Sequence, residues 1–326
     1  MLKLLKFTIL GLTLTFAALG GGHAQTLQTV TFAWNPNPQT PQVDVAIKNG
    51  LFKDAGLDVK IVSFPTGREA LEALLGGQVD FAYMAEFPVA TALLRKQNLK
   101  IVADLSRYRG QRIIASAKTM KLSSPADMAG KKIGTTLGTN VEYFTDRLLT
   151  KAGVKATIVN AGPADLVPAL ARGDIDAAVM FPTFFGAAKK TLASDYVELV
   201  SDQYVLHMII SASSTVLEKR PDVVDKFVGA LVTADAVVAT DPAVAQKIVH
   251  ADMKGVMPLP ELEAMWKECE FGTSLDGSLL TLLADEASWI VDRGMVKAEK
   301  PTVEAFRNYV FDSALKKASP SNVKLP

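Results

Sequence analysis

The chain has 326 residues, and its 35 Lys and Arg against 34 Asp and Glu leave a formal charge of +1 at neutral pH. Such a balance excludes a basic field for nucleic acid and an acidic tail, so bulk charge selects no partner. A single cysteine, Cys269, excludes an intramolecular disulfide, and a chain of this size buries enough apolar surface without one.

The first residues read as a secretory leader. Lys3 and Lys6 precede an uncharged run over 7–20, and Gly22-His23-Ala24 supplies the small residues of a cleavage site after Ala24. The run is shorter than the roughly 18 apolar residues a membrane span needs. No cysteine follows it to carry a lipid. The expected mature protein is exported, soluble and not lipid-anchored, with 1–24 as signal peptide.

Residues 29–34 alternate as a strand, which Asn35-Pro36-Asn37-Pro38-Gln39-Thr40-Pro41 breaks into a polar loop. A helix over 43–49 closes at Gly50, and a second strand over 57–62 leads through Pro65 and Thr66 to Gly67 and another helix. A third strand over 80–84, a helix over 88–96 and a strand over 100–104 follow. Residues 111–116 read as a strand crossing into a second lobe. There, 131–135 is a strand, Gly138-Thr139-Asn140 precedes a helix over 141–152 with Thr139 or Asn140 as N-cap, and 156–160 and 197–200 are strands. Residues 204–211 carry the chain back. From 215 onward the pattern predicts helices alone, over 221–239, 242–251, 260–268, 279–293 and 302–316, packed on the first lobe.

One pattern occurs twice, over 67–84 and 162–180. With Gly77 laid on Gly173, the pairs Ala73/Ala169, Leu74/Leu170, Asp80/Asp176, Ala82/Ala178 and Met84/Met180 are identical. Each copy reads as a helix, a glycine stop, a short buried strand and then a proline, Pro88 or Pro182, where a new helix begins. A repeated αβα step predicts two similar lobes, with 25–110 and 212–326 forming the first and 111–211 the second. Two lobes imply a cleft. Asp80 and Asp176 precede their strands, at the end away from that cleft, and read as structural.

The chain carries no nucleophile elbow, no H-E-x-x-H, no phosphate loop and no C-x-x-C. No metal or cofactor is expected. Ligands of parallel α/β sheets bind beyond the carboxyl ends of strands, where the next helices begin and offer free N–H groups. Four such starts are present, at Gly67, Glu86, Thr139-Asn140 and Phe181-Pro182. Each has an alternative role in capping or turning its own helix. Trp34 and Phe181 end strands and are candidate pocket walls. Among Arg107, Arg109 and Arg112, one is a candidate clamp for an anion. For His207 a cleft donor and a plain polar role on the crossing segment are equally open.

These residues carry a family resemblance. Residues 30–104, with Asn49-Gly50-Leu51-Phe52-Lys53-Asp54-Ala55-Gly56, together with Asp127-Met128-Ala129-Gly130-Lys131-Lys132 and the step at Gly173, resemble the periplasmic substrate-binding components of ABC importers for nitrate, sulfonates and taurine. The resemblance implies the α/β type II periplasmic binding protein fold, with two lobes joined by a two-strand hinge and extra C-terminal helices on the first. The loop from Trp34 to Thr40 is also similar to that of thiamine-precursor and riboflavin binders, though Ala33 and Thr40 replace their aspartate and histidine. Glu86 stands where sulfonate and taurine binders often carry an acidic residue.

The expected function is therefore a non-enzymatic, monomeric periplasmic receptor that closes on a small organic anion and delivers it to a membrane permease with a cytoplasmic ATPase. The expected ligand residues are Trp34, Asn35, Asn37, Thr40, Gly67, Glu86, Arg112, Thr139, Asn140, Phe181 and His207. Three alternatives stay open: a binder of a heteroaromatic vitamin precursor, a pyrimidine-synthase-like enzyme, and a subunit presenting ligand to a membrane sensor.

Overall fold

The alternation of apolar runs with helices becomes two sheets in a computed structural model that describes residues 26–326, so the leader expected over 1–24 lies outside the described residues. In chain order the strands are β1 (Gln28–Ala33), β2 (Leu57–Val62), β3 (Phe81–Ala85), β4 (Leu99–Tyr108), β5 (Arg112–Ser116), β6 (Lys132–Thr135), β7 (Thr157–Asn160), β8 (Ala177–Val179), β9 (Tyr196–Val200), β10 (Leu206–Ser213), β11 (Cys269–Asp276) and β12 (Val323–Lys324). The first lobe holds a seven-stranded sheet in the order β12-β11-β4-β10-β3-β1-β2, and the second a five-stranded sheet in the order β7-β6-β8-β5-β9.

In the first lobe β1 pairs parallel with β2 and β3, while β10 runs antiparallel between β3 and β4. Every residue of β10 is buried, because helices cover both faces of the sheet centre. The long helix Pro221–Thr240, entered through a proline at its first turn, presses Phe227 flat on Phe81 at 4.1 Å between ring centres and edge-on to Phe32 at 5.1 Å.

Three expectations are corrected. Residues 206–213 belong to the first sheet, so the returning crossing is 201–205 and the second sheet ends at Val200. The region beyond 215 is not purely helical, since β11 pairs antiparallel with β4 and closes what would be an open edge. Its residues alternate, with Cys269, Phe271, Thr273 and Leu275 against Glu270, Gly272, Ser274 and Asp276, but the run has few strong strand formers. The helix expected over 302–316 divides into Val303–Arg307 and Ser313–Ala318, because Ile101 donates to Tyr309 and accepts from Phe311, each at 2.8 Å. The two crossings are joined where Ser201 N–H donates to the Gln111 carbonyl at 2.8 Å.

The repeat is structural in both copies. Gly77 and Gly173 end their helices at φ 71° and 78°, where a side chain is strained. Asp80 and Asp176 each donate their N–H to a neighbouring strand and accept from that strand's N–H, Thr31 at 2.9 Å and Lys132 at 2.8 Å.

Candidate functional site

The carboxyl ends of β1, β2, β3, β6 and β8 converge, with the start of β10, on a cavity of about 330 Å3 between the lobes. Trp34, Asn35, Asn37 and Gly67 line it from the first lobe, and Thr139, Asn140 and Phe181 from the second. No lining residue carries a formal charge. Polarity comes from amides, hydroxyls and helix ends, set among Trp34, Phe64, Tyr83, Phe181 and Phe184.

The loop after β1 organises itself. Thr40 Oγ1 accepts from Trp34 Nε1 at 3.0 Å and from Asn37 Nδ2 at 2.8 Å, and Asn37 Oδ1 accepts from Gln39 N–H at 3.0 Å. Asn35 donates to the Phe64 carbonyl. These bonds hold the indole against the cavity and use most of the loop's polar capacity. The exception is Gln39, 5% exposed, whose side-chain Nε2 has no partner among the described residues.

Among the helices that begin at the cavity, two share a Thr-x-x-Glu start, and they differ. At Gly67–Leu75 the cap is complete: Thr66 Oγ1 accepts from Glu69 N–H at 3.2 Å and Glu69 accepts from Thr66 N–H at 3.0 Å. Gly67 itself is required by packing, since a Cβ there would lie 2.7 Å from Met84 Cβ. At Asn140–Ala152 the Thr139 hydroxyl makes no cap and instead donates to the Thr136 carbonyl at 2.7 Å, while Glu142 accepts from Gly138 N–H at 2.6 Å. The first-turn N–H groups of that helix are left with no side-chain partner. Beside them Asn140, 3% exposed, has an unpartnered Nδ2. An uncapped helix end and a buried amide donor together form an acceptor-binding corner without a cation.

Four expected site residues lie outside the cavity lining. Thr40 supports Trp34 and Asn37 from behind. Glu86 is fully buried and turned into the lobe, where its carboxylate accepts from Tyr204 Oη and from His207 N–H at 2.9 Å. Arg112 is held by the Gly110 carbonyl at 3.1 Å, Glu198 at 3.1 Å and Glu268 at 2.6 Å. His207 faces a separate cavity of about 720 Å3, together with Arg107 and Arg109. The two cavities lie on opposite faces of β10, with Leu206 and Met208 turned to the smaller and His207 to the larger, as strand alternation requires.

The ionisable groups buried around His207 form one network. Burial opposes a charge on His207, but Asp104 at 2.7 Å and the nearby Glu86 outweigh it and raise its pKa. Burial also raises Glu86 and, with the adjacent Glu86 charge, raises Glu286 further, so Glu286 keeps its proton and shares Tyr204 Oη with Glu86. Gln39, Phe64, Tyr83, Leu206 and Met208 line the cavity without having been expected there. The position of Gln39 in the polar loop after β1, and the parity of Leu206 and Met208 with His207, are the signals that point to them. Among the described residues no group of three or more His, Cys, Asp or Glu is placed to hold a metal.

Comparison with known proteins fits this geometry. The family described as NMT1/THI5 like matches residues 37–245. A putative binding protein of Brucella abortus (strain 2308) is 27% identical over 267 residues, covering 78% of this chain and 82% of the relative. The taurine-binding periplasmic protein of Escherichia coli is 27% identical over 164 residues, 49% of this chain and 50% of that protein. The alkanesulfonate-binding protein SsuA of Xanthomonas axonopodis pv. citri, solved with MOPS, superimposes with a TM-score of 0.73 at 19% identity, over 87% of this chain and 98% of its own. The chain therefore belongs to the NMT1/THI5-like family and has the type II periplasmic binding protein fold.

Proposed function

We propose that this protein is the solute-binding component of an ABC importer, exported to the periplasm without a lipid anchor, acting as a monomer and closing on a small organic anion for delivery to a permease with a cytoplasmic ATPase. The observation that carries the reading is the uncapped N-terminus of Asn140–Ala152 beside the unpartnered amide of Asn140. Such a corner holds a sulfonate or carboxylate through backbone and amide N–H groups alone. The apolar walls then receive the rest of the solute. A cavity of about 330 Å3 holds about eleven waters at ~30 Å3 each, so bare nitrate leaves most of it unfilled. A ligand touching both lobes stabilises the closed state over the open one.

Isothermal titration against taurine, 1-butanesulfonate, short-chain carboxylates, nitrate and heteroaromatic vitamin precursors tests the reading. The expected result is a sulfonate or carboxylate with an apolar tail binding tightest and nitrate weakly; no heat with any anion rejects it. A second reading, a neutral heteroaromatic ring, is favoured by the aromatic walls and the uncharged lining, and the same titration separates the two. Cys269, the sole thiol, lies outside the lining and burial pushes its pKa up, which supports a receptor over an enzyme. Turnover of any bound solute by the purified protein overturns that choice. Growth of a deletion strain on the bound solute separates transport from sensing.

A further inference from the structure

The helix that carries the candidate anion corner is also held from a distance. Six residues beyond Asn140, and so about 9 Å along the axis, Asp146 accepts from Trp289 Nε1 at 2.6 Å and pairs with Arg293. Trp289 lies in the last turn of the first-lobe helix Gly277–Asp292 and Arg293 is its C-cap residue, whereas Asp146 belongs to the second lobe. The Trp289 ring meets Tyr143 of the second lobe edge-on at 5.5 Å and Phe87 of the first at 5.7 Å, so the indole is a wedge between lobes. None of Asp146, Trp289 or Arg293 lines the candidate ligand cavity.

Another ionic contact between lobes joins Arg112 to Glu268, but Arg112 lies two residues beyond Gly110 of the crossing and moves little in a hinge rotation. Asp146 has no such proximity to the crossings in sequence, and its bonds to Trp289 and Arg293 join the two lobes directly. We propose that Asp146 is a positioning residue: with Trp289 and Arg293 it forms a latch that sets the population of the closed state, and it thereby sets the affinity of the Asn140 corner without touching solute. Apparent affinity scales with the fraction of protein in the binding-competent state, so loosening the latch weakens every solute by the same factor.

The mechanical part of this inference is independent of the solute, while its affinity part rests on the anion reading. Spin labels at Lys60→Cys and Lys155→Cys, one on each lobe and both in a Cys269→Ser background because Cys269 is only half-buried, report the interlobe distance in solute-free protein. The expected result is a longer or broader distance distribution for Asp146→Ala, and a weaker change in the same direction for Arg293→Ala, whose side chain is half-exposed. Partial recovery in the charge-swapped pair Asp146→Arg with Arg293→Asp is expected. For 1-butanesulfonate the dissociation constant should rise about tenfold in Asp146→Ala. Unchanged distances in both single variants overturn the latch. Changed distances with no 1-butanesulfonate binding in any variant, wild type included, support the latch and count against the anion reading.

Discussion

Two of the helix N-termini that face the cavity begin with the same four-residue signature, Thr66-Gly67-Arg68-Glu69 in the first lobe and Thr139-Asn140-Val141-Glu142 in the second. Threonine at the cap and glutamate three residues on is the signature of a capping box. Only the first lobe builds one. In the second, Glu142 reaches one residue too far back, to Gly138, and Thr139 gives its hydroxyl to Thr136. Gly138 makes this possible at φ 76°, a left-handed turn that exposes its N–H. One helix end is thus closed by its own residues and the other left open toward the cleft. The lesson is that a capping motif describes capacity, and the turn before it decides whether that capacity faces inward or toward a ligand.

Substitutions at these two ends sharpen or break the contrast. The largest effect is expected from Thr139→Asp, which offers a cap and places a negative charge in the corner. At roughly 4 Å in a partly buried site the repulsion is about 4 kcal/mol, nearly a thousandfold loss of anion affinity by titration, while thermal stability rises. Asn140→Ala removes one donor to a charged group and should weaken binding by about 1.5–3 kcal/mol, roughly ten- to hundredfold. An Asn140→Ala variant of unchanged affinity places the anion elsewhere. Thr66→Ala should behave in the opposite way, costing about 1 kcal/mol of stability in urea unfolding and changing affinity little.

The smallest effect on ligand affinity is expected at the buried Glu86 and Glu286 pair, which lies away from both helix ends and acts on stability instead. Because folding raises the pKa of Glu286, its contribution to stability is complete below the ordinary carboxylate pKa and is lost as pH rises toward the folded value. Each pH unit crossed in that window costs about 1.4 kcal/mol. Glu286→Gln keeps a donor for Glu86 and lacks the titration, so its unfolding free energy should fall less than wild type between pH 5 and pH 8. Equal slopes for the two proteins would show that Glu286 is ionised in the fold.

Much of the scaffold was legible. The strand over 57–62 matches β2 residue for residue, and the helix expected over 141–152 begins one residue early at Asn140. Both carry strong local periodicity and clear stops. The strand β11 was only weakly legible: Cys269, Phe271, Thr273 and Leu275 alternate with polar residues, but the run has few strong strand formers and its partner, the free edge of β4, is distant in sequence. The same division runs through the site. Trp34, Asn140 and Phe181 could be placed at the cleft from their positions at strand and helix ends. Glu86 begins a helix at the cleft as well, yet Tyr204 and His207 draw its carboxylate inward.

Taken alone, the order of residues was enough for the leader-like start, the two-lobe plan, the duplicated αβα step and the set of strand ends that meet at a cleft. Each of these rests on interactions within a few residues along the chain, where periodicity, glycine stops and proline starts leave few alternatives. Which polar groups remain free for a ligand was settled by contacts across the fold. The hydroxyl of Thr139, the carboxylate of Glu86, the guanidinium of Arg112 and the ring of His207 all had several partners in reach. For Glu86, Arg112 and His207 the choice was made by groups distant in sequence that the sheets bring together, whereas Thr139 turned to Thr136 within its own loop, and the corner at Asn140 stayed open.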